Sequence, residues 1–433
     1  MSNYITFCIA CAVLLNVFPA AVWAEEVLSW QECIAQAQKN HPDLISAQAN
    51  VRQYQAAKGI TVSGLLPQIS AGADGTRTGT TTRSSTGVKT RRTSNTYSYG
   101  ASGTQLLFDG FKTFDNIKAA SENMKASQYN YKFTSSEVRL RLRTAFANLL
   151  KGQESLRITE DIRVIRKSNL DLIALRYQSG IEHKGALLTA QANLAQAEFE
   201  IAQTKRALEA VQRQLLKEIG RTHFSPVRVT GEFMVSDTVR EKPDFEILAK
   251  DHPSLGKLIA QKNAAYYGIK AAEADFFPTL SAQVGIDKSQ SRWPPDDRQW
   301  NAGLTVSIPI FEGGLRLAQV SQAQAIYQQA VENERSARDG VIVTLQQGWA
   351  ALQDAVETVD VQKKFLDAAQ ERAKIAESQY SLGLIQFDNW TIIEDDLVSA
   401  KKALLNAQAN ALLAEANWIQ AKGDTLEYAQ QKI

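Results

Sequence analysis

Cysteine and histidine are scarce in this chain of 433 residues, which carries three cysteines and four histidines. Cys8 and Cys11 lie in an apolar N-terminal segment, so Cys33 alone remains beyond it and has no partner for an intramolecular disulfide. The histidines are scattered, and no pair has the spacing of metal ligands. We therefore expect neither a disulfide framework nor a metal site.

Catalytic motifs and an excess of one charge are also absent. The sequence has no phosphate-binding glycine loop and no nucleophile elbow. Lys and Arg total 48, Asp and Glu total 46, and the formal net charge of +2 gives no reason to expect a nucleic-acid partner. We therefore expect a protein that is not an enzyme and uses no cofactor.

Long apolar runs are missing everywhere except at the N-terminus, over residues 5 to 22. This run predicts a signal peptide over residues 1–24, with cleavage after Ala24. Because the run has no preceding Lys or Arg, an uncleaved anchor is the alternative, and a lipoprotein start at Cys11 fits less well because Leu is missing three residues before it. An exported chain with no later apolar run is either free of the membrane or crosses it as β-strands.

What the chain does contain is a repeat of one set of motifs in the same order. The segment Tyr177-Gln178-Ser179-Gly180 returns 203 residues later as Tyr380-Ser381-Leu382-Gly383. Earlier motifs also return: His41-Pro42 as His252-Pro253, Leu66-Pro67 as Phe277-Pro278, and Phe108-Asp109-Gly110 as Phe311-Glu312-Gly313. The sequence therefore predicts one architectural unit present twice.

Each copy contains a predicted β-hairpin, over about 68–109 and about 279–310. In the second hairpin apolar residues alternate with polar ones, namely Leu280, Ala282, Val284 and Ile286 on one strand and Trp300, Ala302, Leu304, Val306 and Ile308 on the other. In the first copy a loop rich in Thr, Ser and Arg is expected between strands over about 68 to 82 and 95 to 109. Strands of this length and pattern are typical of tilted membrane strands. The alternative is an edge hairpin of a soluble sandwich, for which the helical flanks supply no further strands.

The rest of each copy is predicted to be helical. Leu142, Leu149 and Leu156 recur every seven residues, as do Leu345 and Leu352 in the second copy, which indicates a coiled-coil-like seam. We expect long helices over about 111–178 and 314–381, each roughly 100 Å long at 1.5 Å per residue. Shorter helices are expected from His41-Pro42 and His252-Pro253, and over about 184–220 and 388–422. The tight Tyr-x-x-Gly turns then mark the helical tips.

The predicted organisation has five parts. They are the signal peptide over 1–24, a first repeat over 25–225, a linker over 226–243, a second repeat over 244–423 and a C-terminal tail over 424–433. Four strands cannot close a membrane barrel, since the smallest need about eight. A chain that enters a membrane in this way must oligomerise: three copies supply twelve strands, whereas two would leave little lumen.

The order of these motifs, given twice, resembles the outer-membrane efflux protein family of TolC-like channels over about residues 27 to 423. The resemblance implies a mainly α fold, in which a trimer forms a long α-helical barrel continuous with a 12-stranded transmembrane β-barrel. It also implies an outer-membrane duct that extends into the periplasm and passively serves an inner-membrane pump and a periplasmic adaptor, in drug or metal efflux or in type I protein secretion. The competing interpretation is a secreted trimeric coiled-coil structural or adhesive protein.

The resemblance places adaptor docking at the helical tips. The matching residues are Ser179, Gly180, Ile181, Leu382, Gly383 and Leu384. In the family's type member a latch of Tyr, Arg and an acidic residue closes the entrance; here Tyr380 is retained, but the other two positions are Ile385 and Ala186. We expect a substitute latch in which Tyr380 is joined by residues of the first tip, namely Glu182, His183 and Lys184.

The family's acidic ring is also altered, because its two positions are Asn389 and Ile392 here. We predict a weaker or displaced ring, with Asp396 one further helical turn along as the first lumen-facing candidate and Asp388 as the second. The alternative is that Glu394-Asp395-Asp396 is only a solvated helix face near a helix start.

Overall fold

The computed structural model of the protein describes residues 26–235 and 241–431. The predicted signal peptide over 1–24 and the middle of the predicted linker lie outside the described residues. In chain order the elements are β1 (Glu26–Leu28), α1 (Trp30–Asn40), α2 (Pro42–Ser63), β2 (Gln68–Arg83), β3 (Lys89–Phe108), α3 (Lys112–Gln178), α4 (Lys184–Glu218), β4 (Val227–Val229), α5 (Phe245–Lys250), α6 (Pro253–Ala274), β5 (Thr279–Gln290), β6 (Arg298–Ser307), α7 (Leu315–Ser381), α8 (Phe387–Ala421) and α9 (Leu426–Gln431).

The six longest helices come in pairs of equal length. Helices α2 and α6 have 22 residues each, α3 and α7 have 67, and α4 and α8 have 35. Both α2 and α4 contact α3, and both α6 and α8 contact α7, so two shorter helices together follow each long one. Among the described residues, no helix is both long and apolar enough to cross a bilayer.

In each set, a glycine lies where the end of one shorter helix meets the start of the other. Gly220 follows α4 with a φ of +78°, and a Cβ there would lie 2.5 Å from the carbonyl oxygen of Asn40, just before α2. Gly423 follows α8 with a φ of +77°, and a Cβ there would lie 2.3 Å from Cδ of Pro253, at the start of α6. Both the left-handed backbone and the lack of space therefore require glycine at these joints.

The repeated His-Pro pairs are helix starts, as the sequence predicts. The Nδ1 atoms of His41 and His252 each accept a hydrogen bond from a backbone N–H two residues on, at 3.2 Å in both cases. The proline that follows takes the first helical position, where its missing N–H costs no helical hydrogen bond. His41 and His252 thus satisfy backbone donors at the starts of α2 and α6.

The four long strands form one antiparallel sheet in the order β2-β3-β5-β6. Its register pairs Leu280 with Val306 and Ile286 with Trp300 across β5 and β6. Ile286 also lies opposite Ala101 of β3. Because directly opposed residues share a face, the apolar positions form one continuous face across the sheet. Strands β2 and β6 are its two edges.

The loop expected over about 83–94 is largely strand, which corrects the sequence prediction. Pairing between β2 and β3 continues out to Arg83 and Lys89, and only residues 84–88 form the turn. The segment is exposed on both faces, so apolar and polar residues do not alternate along it and the pattern that indicates a strand is missing. Its threonines are β-branched and favour extended backbone, which the polar composition concealed.

Small elements that were not predicted from the sequence surround the largest buried apolar cluster. Residues of α1, α3, α4, β4 and α9 pack together there, around the fully buried Cys33, and burial raises the pKa of its thiol to about 12. Helix α9 lies inside the predicted C-terminal tail, and its Glu427 accepts hydrogen bonds from Tyr131 Oη at 2.8 Å and Ser135 Oγ at 2.6 Å. The end of the described chain is therefore docked on α3.

The joint at Gly423 predicts a stability difference between two glycine substitutions. Gly180 has a φ of +70° like Gly423, but a Cβ there would meet nothing within 4 Å. Gly180→Ala should cost only the left-handed conformation, about 1 to 2 kcal/mol, whereas Gly423→Ala should cost about 1 to 3 kcal/mol more because its Cβ overlaps Pro253. Thermal unfolding of both variants measures this, and equal losses of melting temperature would contradict the packing role.

Candidate functional site

The two helical tips have the same backbone geometry. At the end of α3, the N–H of Ile181 donates to the carbonyl of Arg176 at 2.9 Å and that of Gly180 to Tyr177 at 3.0 Å. At the end of α7, Leu384 donates to Gln379 at 2.8 Å and Gly383 to Tyr380 at 3.0 Å. These paired bonds are the Schellman motif, which places glycine at the left-handed position after the helix. Gly180 and Gly383 adopt φ values of +70° and +75° accordingly.

Beyond these caps the tips expose apolar side chains. Ile181 is 65% exposed, Leu382 is 75% exposed and Leu384 is 69% exposed. Ser179 and both glycines are exposed as well. All six residues predicted to form the docking tips are thus accessible at the turns that join α3 to α4 and α7 to α8.

Directly behind the tips lies a buried aromatic cluster. The Tyr380 ring stacks on Trp390 of α8 with ring centroids 4.5 Å apart and planes 8° from parallel. Phe387, Ile173 and Ala186 are buried in the same cluster, and Ile385 packs against it. The two positions that lack the family's polar latch residues, Ala186 and Ile385, therefore contribute to an apolar core instead.

Tyr380 also makes the polar contact that joins the two tips. Its hydroxyl donates a hydrogen bond to Glu182 Oε2 at 2.8 Å. The Arg176 guanidinium lies 4.7 Å from the centre of the Tyr380 ring, and its Nε is 4.0 Å from Glu182 Oε2. Burial, together with the hydrogen bond to Glu182, raises the pKa of Tyr380, so the hydroxyl stays protonated and remains a donor.

Of the three residues predicted to join Tyr380, the structure brings Glu182 to it. His183 instead caps α4, where its Nδ1 accepts from the backbone N–H of Ala186 at 3.1 Å. Lys184 begins α4 and is exposed. Sequence reasoning missed Arg176, although a cation in the last turn before the Tyr-x-x-Gly glycine was a usable signal.

The candidate acidic residues lie on α8. Asp388 is exposed in the first turn. Asp396 is exposed too, and it accepts a hydrogen bond from Arg372 Nη2 of α7 at 3.2 Å. Neither acid therefore carries a fully buried charge.

The interpretation of residues 394–396 as one solvated face is wrong for Glu394. Asp395 is exposed and pairs with Arg166, but the Glu394 side chain is buried. Successive residues of a helix point about 100° apart, so a run of three acids cannot share one face. Burial raises the pKa of Glu394, while the nearby Arg166 lowers it in part.

Sequence comparison finds a family model and characterised proteins that match most of this chain. The sequence model described as "Outer membrane efflux protein" matches residues 33–221 and 246–424. The outer membrane efflux protein BepC of Brucella suis is 24% identical over 426 residues, covering 96% of this chain and 90% of BepC. The outer membrane protein TolC of Escherichia coli K12 is 26% identical over 384 residues, covering 83% of this chain and 75% of TolC.

Solved structures show the same fold. The outer membrane protein VceC of Vibrio cholerae superposes with a TM-score of 0.78 at 18% identity, covering 92% of this chain and 96% of that one. The MtrE outer membrane channel of Neisseria gonorrhoeae, described in an open state, superposes with a TM-score of 0.79 at 20% identity, covering 92% and 89%.

Burial of Glu394 predicts a stability change with a defined dependence on pH. Because the folded-state pKa is raised, the carboxyl costs no stability below its unfolded value near 4.5 and costs stability as the pH rises through the folded value. Glu394→Gln should therefore raise the melting temperature at pH 7.5 and leave it unchanged at pH 4. The matched control is Asp388→Asn, at an exposed acid of the same helix, and it should not raise the melting temperature at either pH. A Glu394→Gln gain of equal size at both pH values would refute a buried charge as the cause.

Proposed function

The chain belongs to the outer membrane efflux protein family, and from this membership we propose that three copies form the outer-membrane exit duct of a tripartite efflux or type I secretion system. The protein is an outer-membrane channel protein whose helices extend into the periplasm. In the proposal, the sheets of three chains close a 12-stranded barrel in the membrane, and the helices continue it as a periplasmic tube. The duct is passive, so the pump that feeds it selects the substrate.

One observation carries this proposal: the sheet and the helical layer are open at the same two edges. The strand order is β2-β3-β5-β6, and the helices below contact one another in the order α2-α3-α6-α7. Edge β2 is therefore continuous with edge helix α2, and edge β6 with edge helix α7. One interface, repeated around an axis, would close both layers at once.

The energetics favour closure by further copies. An open strand edge in lipid leaves backbone groups unpaired at a cost of several kcal/mol each. Three four-stranded sheets supply twelve strands, which lies within the range of known membrane barrels, whereas one sheet cannot close. The equal helix lengths in the two halves support a duplicated unit, so that three chains would present six similar segments around the tube.

The tips supply the proposed contact with a partner. In the assembled duct, Ser179, Gly180, Ile181, Leu382, Gly383 and Leu384 would lie at the end farthest from the sheet, where a periplasmic adaptor reaches them. Exposed apolar side chains that form a cluster are typical of interaction surfaces. Their rigid glycine caps hold the same shape at both tips, which suits an adaptor that meets six similar turns.

The proposed latch is the contact between Glu182 and Tyr380, supported by Arg176. It ties the α3–α4 turn to the end of α7 within one chain. If this contact keeps the entrance narrow, its loss frees the α7–α8 pair to move relative to α3 and α4. The stacking of Tyr380 on Trp390 would survive removal of the hydroxyl, so the polar link can be tested separately.

Planar-bilayer recordings of the purified protein test both the duct and the latch. Wild-type protein should insert and conduct, and Tyr380→Phe and Glu182→Ala should each raise the single-channel conductance several-fold, because the first removes the donor of the link and the second removes its acceptor. Tyr177→Phe is the matched control, because Tyr177 holds the same place in the first repeat and is exposed; it should leave conductance unchanged. Wild-type protein that never conducts would refute the duct, and a conducting wild type with unchanged Tyr380→Phe and Glu182→Ala variants would refute the latch.

Asp396 and Asp388 are the proposed lumen acids, and the ring at Asp396 is weakened because Arg372 shares its charge. Asp396→Ala should therefore reduce cation preference in the same recordings, measured as the reversal potential across a salt gradient. Its neighbour Asp395, which pairs with Arg166, is the control, and Asp395→Ala should have a smaller effect. Unchanged selectivity in Asp396→Ala would rule out its place in the ring.

A further inference from the structure

An open pocket of about 550 Å³ lies between the first turns of α3 and the last turns of α6. Phe111, Phe114 and Lys118 line it from the α3 side, and Tyr266, Tyr267 and Lys270 line it from the α6 side. Its volume lies within the range of small-molecule sites, about 300 to 1,000 Å³. We call it the aromatic–lysine pocket.

The aromatic–lysine pocket continues the apolar face of the sheet. Phe108 pairs in register with Leu280, so it lies on that face. Its ring is 5.6 Å from the ring of Phe111, centre to centre, and Phe111 is 6.2 Å from Phe114. Phe111 is 60% exposed and Phe114 is 50% exposed. A chain of aromatic rings therefore leads from the apolar face directly into the pocket.

The lysines lie deeper along the helices than the phenylalanines. Phe114 and Lys118 are four residues apart, which is about 6 Å of helix. The polar layer on each side of a bilayer is about 5 to 8 Å thick. If the apolar face meets the hydrocarbon core, the phenylalanines fall at the boundary and the lysines fall at headgroup depth on the periplasmic side.

Each of the two lysines that line the pocket is paired with a carboxylate and lies over a tyrosine ring. Lys118 Nζ lies 2.9 Å from Asp115 Oδ1 and 5.3 Å from the centre of the Tyr267 ring. On α6, Lys270 Nζ lies 2.9 Å from Glu273 Oε2 and 5.8 Å from the centre of the Tyr266 ring. Two ammonium groups thus stand beside two carboxylates and two electron-rich ring faces. This arrangement suits a ligand that carries both a phosphate and an ammonium group.

We infer that the aromatic–lysine pocket binds the headgroup of a zwitterionic glycerophospholipid of the periplasmic leaflet. The phosphate lies between Lys118 and Lys270, and the ligand's ammonium group lies at Asp115, Glu273 and the tyrosine faces. The acyl chains follow the exposed phenylalanines onto the apolar face. The inference rests on the proposed function, because it requires the sheet to lie in the membrane.

Within the described residues, the second repeat does not reproduce the lining of the aromatic–lysine pocket. The positions that correspond to Phe111, Phe114 and Lys118 are Gly314, Leu317 and Ser321, which supply neither an aromatic ring nor a lysine. A duct of three chains therefore binds three headgroups, one at each chain's α3–α6 seam.

Native mass spectrometry of the detergent-purified protein, with phosphatidylethanolamine added, tests the lysines. The double variant Lys118→Met with Lys270→Met keeps the aliphatic stems and removes both charges. It should bind phosphatidylethanolamine several-fold more weakly, because both ammonium groups that would contact the phosphate are gone. Lys125→Met is the matched control, because Lys125 pairs with Glu122 on α3 in the same spacing as Lys118 with Asp115 and is equally exposed. It should bind as the wild type does.

A second double variant tests whether the pocket prefers a zwitterionic lipid. The wild type should prefer phosphatidylethanolamine to phosphatidylglycerol, and Asp115→Asn with Glu273→Gln should reverse that order because the pocket becomes positive. Equal phosphatidylethanolamine binding by the wild type and the double lysine variant would overturn the inference. So would displacement of the bound lipid by millimolar inorganic phosphate, which would indicate a simple anion site.

The same preparations separate this inference from the proposed duct. If the wild type conducts in bilayers and the double lysine variant retains lipid, the lipid site alone is wrong. If the wild type neither inserts nor conducts, the proposed function itself fails.

Discussion

The need to pair backbone groups at the edges of a four-stranded sheet constrains the whole molecule. Strands β2 and β6 each have one unpaired side, and the face they share with β3 and β5 is apolar. In lipid, unpaired N–H and C=O groups have no water to bind. In lipid the sheet would therefore be complete only when other strands meet both edges, which is the physical reason for the proposed assembly.

The helices follow from the same constraint because they keep the order of the strands. Each long helix is matched by two shorter ones whose ends meet at a glycine, and the joints at Gly220 and Gly423 have no space for a side chain. The two halves of the chain are thus alike in the lengths of their long helices and differ in side chains. Those differences lie in the places proposed for function: Glu182 and Tyr380 at the tips, and the aromatic–lysine pocket near the sheet.

Local patterns in the sequence predicted the parts whose structure depends on spacing. The seven-residue recurrence correctly identified Leu142, Leu149, Leu345 and Leu352 as interior residues, since all four are fully buried, whereas Leu156 of the same recurrence is half-buried. The alternation of β5 and β6 correctly gave one apolar face. The strands over 83–94 were missed because exposure on both sides leaves no alternation to detect.

Local sequence patterns could not predict the contacts between distant segments. Glu427 bonds to Tyr131, which lies 296 residues earlier, so the docking of α9 has no local signature. The contact of Glu182 with Tyr380 spans 198 residues. The sequence named Glu182 among three candidates, but it did not separate Glu182 from His183 and Lys184 and did not identify Arg176. The burial of Glu394 depends on which face of α8 meets α3, which a run of three acids does not reveal. Sequence reasoning therefore located the tips and the candidates for the contact between them, but not which candidate makes it.

Disulfide cross-linking in isolated outer membranes tests whether neighbouring copies close the two edges of the sheet. One cysteine is placed in β2 and one in β6, scanned along both strands, with the buried Cys33 left in place. If β2 of one chain pairs with β6 of the next, oxidation at the matching registers gives covalent dimers and trimers and no larger species. Monomers at every register, or cross-linked species larger than trimers, would contradict closure of the sheet edges by three copies.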